Sequence, residues 1–222
     1  MKSNHPNLIL SCIGILIAAA PSQAATVIAI DNLAVGSQSF SASLSGPTAT
    51  SFFGGDFSDR EVAFSFTTGS IDAYLTELKF VTSIGNAQLS PIQLTLSTGT
   101  SVPGGVNPVV LGSVAPASSS PITQTLTVGP TIPPVLLANT TYWIHMTVPT
   151  GGGIYSIANT NTPIAEPGWS LGTTWLQDPL DPWSELTSGP VARIRMTVET
   201  IPEPQAALLG GLGIIALLRR RR

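Results

Sequence analysis

His145 is the only histidine of this chain beyond residue 5, so any Ser-His-Asp relay in its body would have to run through it. It falls in TYWIHMTV, residues 141–148, where alternation places it with Trp143 on the polar side of a strand. That is the setting of a surface histidine. Zinc is poorly served by one histidine and a single cysteine, Cys12, near the start of the chain. Carboxylates come in two groups: Asp56, Asp59 and Glu61 in DFSDRE, and Asp178 and Asp181 in DPLDPW. Paired carboxylates perform glycoside hydrolysis, and loop carboxylates hold calcium. Both runs read first as turn chemistry, with Asp ahead of a proline or a strand, and neither has the spacing of an EF-hand loop. The expectation is therefore no enzyme and no cofactor. Asp56, Asp59, Asp178 and Asp181 are the calcium candidates of the less favoured alternative, a calcium-binding or hydrolytic jelly roll.

Tryptophans are the stronger lead. Trp169, Trp175 and Trp183 lie within fifteen residues, in EPGWSLGTTWLQDPLDPW, a stretch that reads as a loop because Pro163, Pro167, Pro179 and Pro182 punctuate it. An indole offers a flat apolar face on which a sugar ring can stack, and loops are where binding sites concentrate. These three residues are the candidates for glycan stacking. The competing role is to plug the end of a β fold, since tryptophan is heavily buried on average.

The elements that must position these residues are strands. In REVAFSFTT, Val62, Phe64 and Phe66 share one face, with Ala63, Ser65 and Thr67 opposite. PIQLTLST groups Ile92, Leu94 and Leu96. TYWIHMTV groups Tyr142, Ile144, Met146 and Val148 against Trp143 and His145. VARIRMTVE turns Ala192, Ile194, Met196 and Val198 inward and Arg193, Arg195, Thr197 and Glu199 outward. Such alternation suits antiparallel strands with one buried face. Pro- and Gly-rich runs such as SVPGGVNP and TVGPTIPP separate them. The expected fold is all-β, an antiparallel β-sandwich or jelly roll, with one domain over residues 25–200.

The two ends are of another kind. Met1-Lys2 and the apolar run Leu8–Ala24 end in Ser22 and Ala24, the small-x-small rule of a signal peptide, which places the mature start at Ala25. Cys12 leaves with it, so the exported body has no disulfide. At the other end Ala206–Leu218 is thirteen residues without a charge, followed by Arg219, Arg220, Arg221 and Arg222. As a helix it spans about 20 Å, less than the hydrocarbon core of about 30 Å, yet arginine stems can snorkel and lengthen its reach. A basic cluster stays on the cytoplasmic side, which sets a single crossing with the body outside.

Pro202-Glu203-Pro204, a short apolar helix and a terminal arginine cluster together resemble the PEP-CTERM sorting signal of Gram-negative bacteria. The resemblance covers residues 201–222. It implies recognition of Pro202, Glu203 and Pro204 by an exosortase, with Arg219–Arg222 as the topology anchor. It also implies export through the Sec machinery and a transient inner-membrane stage with the body in the periplasm. Final placement would be the cell surface or extracellular matrix. Within the body, VAFSFTTG, IQLTLSTGTSVPGG and LLANTTYWIHM are similar in order to choice-anchor extracellular domains. That likeness implies a β-sandwich without known chemistry.

Setting aside Lys2, the four terminal arginines and Glu203 leaves the body four basic and eleven acidic residues, a net charge near −7. Nucleic acid is an unsuitable partner for such a surface. The expected function is that of an exported matrix or surface protein with a structural or adhesive role in a polysaccharide biofilm layer. The alternative is a carbohydrate-binding module using the loop tryptophans.

Overall fold

Period-two alternation becomes antiparallel pairing throughout. The computed structural model describes residues 24–34, 39–49, 59–85, 88–99, 103, 106–117, 123–179, 181–186 and 190–202. The expected signal peptide up to residue 23, Asp56, Glu203, Pro204, the apolar run and Arg219–Arg222 lie outside them. The described residues form strands β1 (Thr26–Asp31), β2 (Ser39–Ser45), β3 (Glu61–Thr67), β4 (Ala73–Ile84) and β5 (Ile92–Thr98). Then follow β6 (Val106–Val114), β7 (Thr123–Val128), β8 (Val135–Leu136), β9 (Thr141–Thr147) and β10 (Ile154–Thr160). Last come β11 (Ser170–Gln177), β12 (Ser184–Glu185), β13 (Val191–Ala192) and β14 (Ile194–Thr200). No helix among the described residues is long and apolar enough to cross a membrane.

Two antiparallel sheets result. One runs β12-β11-β3-β9-β5-β6; the other runs β1-β14-β4-β10-β13, with β2 on β10 and β7 and β8 on β4. Their inner faces form the core. Val62, Phe64, Phe66, Leu94, Leu96, Ile144 and Met146 of the first sheet pack in one cluster with Leu75, Leu78, Phe80, Tyr155, Ile157, Ile194 and Met196 of the second. This is the two-layer solution for sheets with one apolar face each. The alternating sets expected from β3, β5, β9 and β14 are all buried. In β4 the register slips between Leu75 and Glu77, so that Leu75 and Leu78, three apart, both reach the core.

Three expectations change. Arg193, expected outward, is buried at 7% exposure. It lies at the step between β13 and β14, where its N–H bonds Ala158 O and its guanidinium donates to the carbonyl of Leu33. Its charge is thus met by backbone. The stretch read as a proline-rich loop contains β11 and β12. Its alternation is weak because Ser170, Gly172, Thr173 and Thr174 give little hydrophobic contrast. Trp143, on the outer face of β9, is only 3% exposed because that same stretch covers it.

Candidate functional site

Strand β3 supplies a floor of small side chains on the outer face of the six-stranded sheet, Ala63 and Ser65. On one side Ala63 pairs with Trp175 of β11; on the other, Ala63 and Ser65 pair with His145 and Trp143 of β9. Large rings on both flanks of small residues lean over them, which is why Ala63 is fully buried on an outward face. Trp143 and Trp175 meet with centroids 6.0 Å apart and planes at 88°. The segment after β11 carries Trp183 over the sheet to His145, centroids 5.2 Å apart at 69°. Edge-to-face pairing is the favoured aromatic geometry. The Trp143 indole N–H donates to Gly99 O at 3.1 Å, which holds the most buried ring in place. Trp175 and Trp183 remain partly exposed.

A register slip makes this possible. Between Leu171 and Thr174 β11 bulges against β3, so that Thr174 turns inward and Trp175 outward. Thr174 Oγ1 reaches Asn159 Oδ1 in the core at 3.0 Å. Gly172 lies so close to Ser65 that an added Cβ would stand 2.1 Å from Ser65 Oγ. A side chain at this position would need the Ser65 hydroxyl to move aside.

Charges border the rings. His145 Nε2 lies 2.8 Å from Glu61 Oε2, and Arg60 Nε lies 2.5 Å from Asp178 Oδ1. Each carboxylate therefore faces a side-chain nitrogen of a basic residue and is itself about one-third exposed. Ser97, cross-strand from Trp143 and 5% exposed, has a hydroxyl with no hydrogen-bond partner among the described residues.

The candidate residues separate. Trp175 and Trp183 join the outer-face cluster, with Trp143 and His145 between them. Trp169 does not. It lies at the rim of the core, stacked 6.4 Å from Phe66 at 14°, and Phe66 in turn stacks on Tyr142 at 5.6 Å. Asp178 is held by Arg60, Asp181 is exposed with its N–H on Asp178 O, and Asp59 is an exposed turn residue at φ 54°. No three His, Cys, Asp or Glu side chains among the described residues converge as a metal-binding group. Pro202 follows Ile201, whose N–H bonds Asp72 O at 2.8 Å.

Two features escape strand-by-strand reading. Trp143 belongs to the cluster although nothing in its own strand distinguishes it from a covered core ring. Gly168–Gly172, GWSLG, has the Gly-x-Ser-x-Gly spacing of a hydrolase nucleophile elbow. That turn needs a helix after its serine, whereas Ser170 opens β11. It pairs with Thr67, while His145 pairs with Ala63, four residues along β3 and about 13 Å away. The serine and histidine are out of hydrogen-bond reach.

No family model and no curated protein matches this chain. Among solved structures, one described as the structure of infectious bursal disease virus Gx strain is similar over 83% of this chain and 42% of that chain. Identity is 15% and the TM-score 0.22. The chain thus spans less than half the length of that viral chain, and a likeness at this score assigns neither fold nor function.

Proposed function

We propose that this chain is an exported surface or matrix protein whose β-sandwich body binds extracellular polysaccharide in a structural or adhesive role. The observation that carries the binding half is the aromatic shelf of Trp143, Trp175 and Trp183 over the small floor of β3. Its outer two indoles are partly open, and its rim of Glu61, His145, Arg60 and Asp178 supplies donors and acceptors for sugar hydroxyls. Apolar ring faces with a few polar groups at the edge are what a sugar needs. The acidic body favours neutral polysaccharide over a polyanion. Export and sorting rest on the terminal pattern: the leader ending at Ala24, Pro202-Glu203-Pro204, the apolar run and Arg219–Arg222. On this reading the chain is a substrate of an exosortase-type enzyme and has no catalytic residue of its own.

The test is co-sedimentation of residues 25–202 with neutral polysaccharides, alone and with Trp175→Ala or Trp183→Ala. Each substitution is expected to weaken binding while lowering stability by no more than about 1 kcal/mol. Wild-type binding in the Trp175→Ala/Trp183→Ala double variant would remove the shelf from the account. A body that binds no polysaccharide would leave only a scaffold role.

A further inference from the structure

One end of the sandwich differs from the other. At this end lie the start of β1, the β3–β4 turn, the turn into β9 and the end of β14. Asn139 N–H bonds Gly69 O at 2.8 Å, Ala138 N–H bonds Asp72 Oδ1 at 2.7 Å, and Thr68 Oγ1 bonds Leu137 O at 2.6 Å. These bonds tie the two turns into one surface. On and beside it Ile71, Tyr74, Val106, Val135 and Leu137 are 46%, 39%, 68%, 44% and 54% exposed. An apolar cavity of about 320 Å³ opens there between Leu137, Val135 and Tyr142. At the opposite end, among the described residues, Leu89 is the large apolar side chain that stands out.

The chain leaves the body from the apolar end. Thr200 N–H bonds Ala25 O at 2.9 Å and Ile201 N–H bonds Asp72 O at 2.8 Å, so the sheet holds the chain up to Pro202. The uncharged run begins four residues later, at Ala206. Four residues span at most about 14 Å when fully extended. The headgroup zone on each side of a bilayer is itself about 5–8 Å deep. A short apolar run draws its flanks toward the hydrocarbon, which shortens the gap further.

We infer that this end of the sandwich is a lipid-docking face, and that Ile71, Leu137 and Val106 enter the headgroup zone while the tail is in the membrane. The inference rests on the membrane reading of the tail. Tethering raises the effective concentration of lipid surface so far that a modest apolar contact suffices. Electrostatics contributes no attraction. Lys79 and its cross-strand neighbour Arg195 stand six residues along β4 from Ala73, while Asp72 and Glu199 lie at the docking end. The contact is apolar, so it needs no anionic lipid, unlike polybasic docking. Docking fixes the orientation of the body and keeps Pro202 at the membrane surface, where a membrane-embedded protease would meet it.

The experiment uses the chain from Ala25 to Arg222, which contains no cysteine, reconstituted in phosphatidylcholine vesicles. A polarity-sensitive fluorophore is placed at Ser70→Cys, beside Ile71, or at Thr150→Cys, in the exposed turn at the opposite end. Emission at residue 70 is expected to shift to the blue and to be quenched by lipids carrying a shallow nitroxide, and residue 150 to show neither change. Ile71→Ser/Leu137→Ser in the Ser70→Cys background should abolish the shift with an unchanged melting temperature. An aqueous spectrum at residue 70 in chain that resists carbonate extraction would overturn the docking face alone. Chain that washes off the vesicles would overturn the tail reading and the docking face with it. Equal quenching at both positions would overturn the assignment of this end.

Discussion

Trp175 of β11 meets Trp143 of β9 edge-on, 6.0 Å between centroids and 88° between planes, across Ala63 of the strand that separates them. The two rings have unequal roles. Trp143 is 3% exposed and bonds a backbone carbonyl, whereas Trp175 is partly open. Trp143→Ala is expected to lower stability by about 3–5 kcal/mol, as truncation of a buried aromatic does. Trp175→Ala should lower it by about 1 kcal/mol. Urea unfolding of the two variants measures the difference.

Trp169 should behave as a structural residue. Its stacking on Phe66 closes the core at the end where the chain leaves. Trp169→Ala is expected to cost about 2–3 kcal/mol, somewhat less than a fully enclosed indole. Polysaccharide binding by the folded variant should equal that of the wild type. Reduced affinity at full folding would return Trp169 to the binding surface.

Phe64 and Ile144 are cross-strand partners, both with no exposed surface. Phe64→Ala and Ile144→Ala should each destabilise by about 2–5 kcal/mol. Thr147→Ala, on the outer face of the same strand as Ile144, should change stability by less than about 0.5 kcal/mol. Because the two core residues touch one cluster, the double variant should fall short of the sum of the single losses or exceed it.

Tyr155 makes the body sensitive to alkali. Its hydroxyl donates to Ser90 O at 2.6 Å and accepts from Ser90 N–H at 2.7 Å, within a buried site. Burial raises the phenol above its ordinary value, while the Ser90 N–H bond acts in the opposite sense. The folded state therefore holds this proton more tightly than the unfolded chain. The resulting stabilisation is complete below about pH 10, the unfolded value, and disappears as pH rises through the folded value. The melting temperature should fall on that alkaline limb. Tyr155→Phe should flatten the limb and cost about 1–3 kcal/mol at neutral pH through the unpaired Ser90 groups.

The sorting proposal has its own outcome. Replacing Pro202-Glu203-Pro204 by three alanines should leave full-length protein in the inner-membrane fraction. Mutant protein arriving at the surface at normal size would dissociate this motif from processing. Removing Arg219–Arg222 should instead misorient or release the apolar run, because the cytoplasmic anchor is lost.

Period-two alternation in residues 61–67, 92–98, 141–147 and 194–200 determined by itself that these segments are strands and which face of each enters the core. That pattern is local, and burying apolar side chains leaves a strand no other choice of face. The reading of the ends as a leader and a sorting tail uses length, apolarity and basic flanks alone, and it lies outside the described residues. What the linear pattern leaves open is which strands are neighbours. Trp143, Trp175 and Trp183 become one shelf only because β11 pairs with β3 and β3 with β9, bringing together residues more than thirty positions apart. Trp169 leaves the group for the core because one residue added at the Leu171–Thr174 bulge changes the side on which the next ring points. Arg193 turns inward for a similar reason: the step between two strands breaks the alternation, and a nearby carbonyl meets its charge. Side-chain spacing is carried along one strand, whereas cross-strand pairing and bulges are decided by the whole packed pair of sheets.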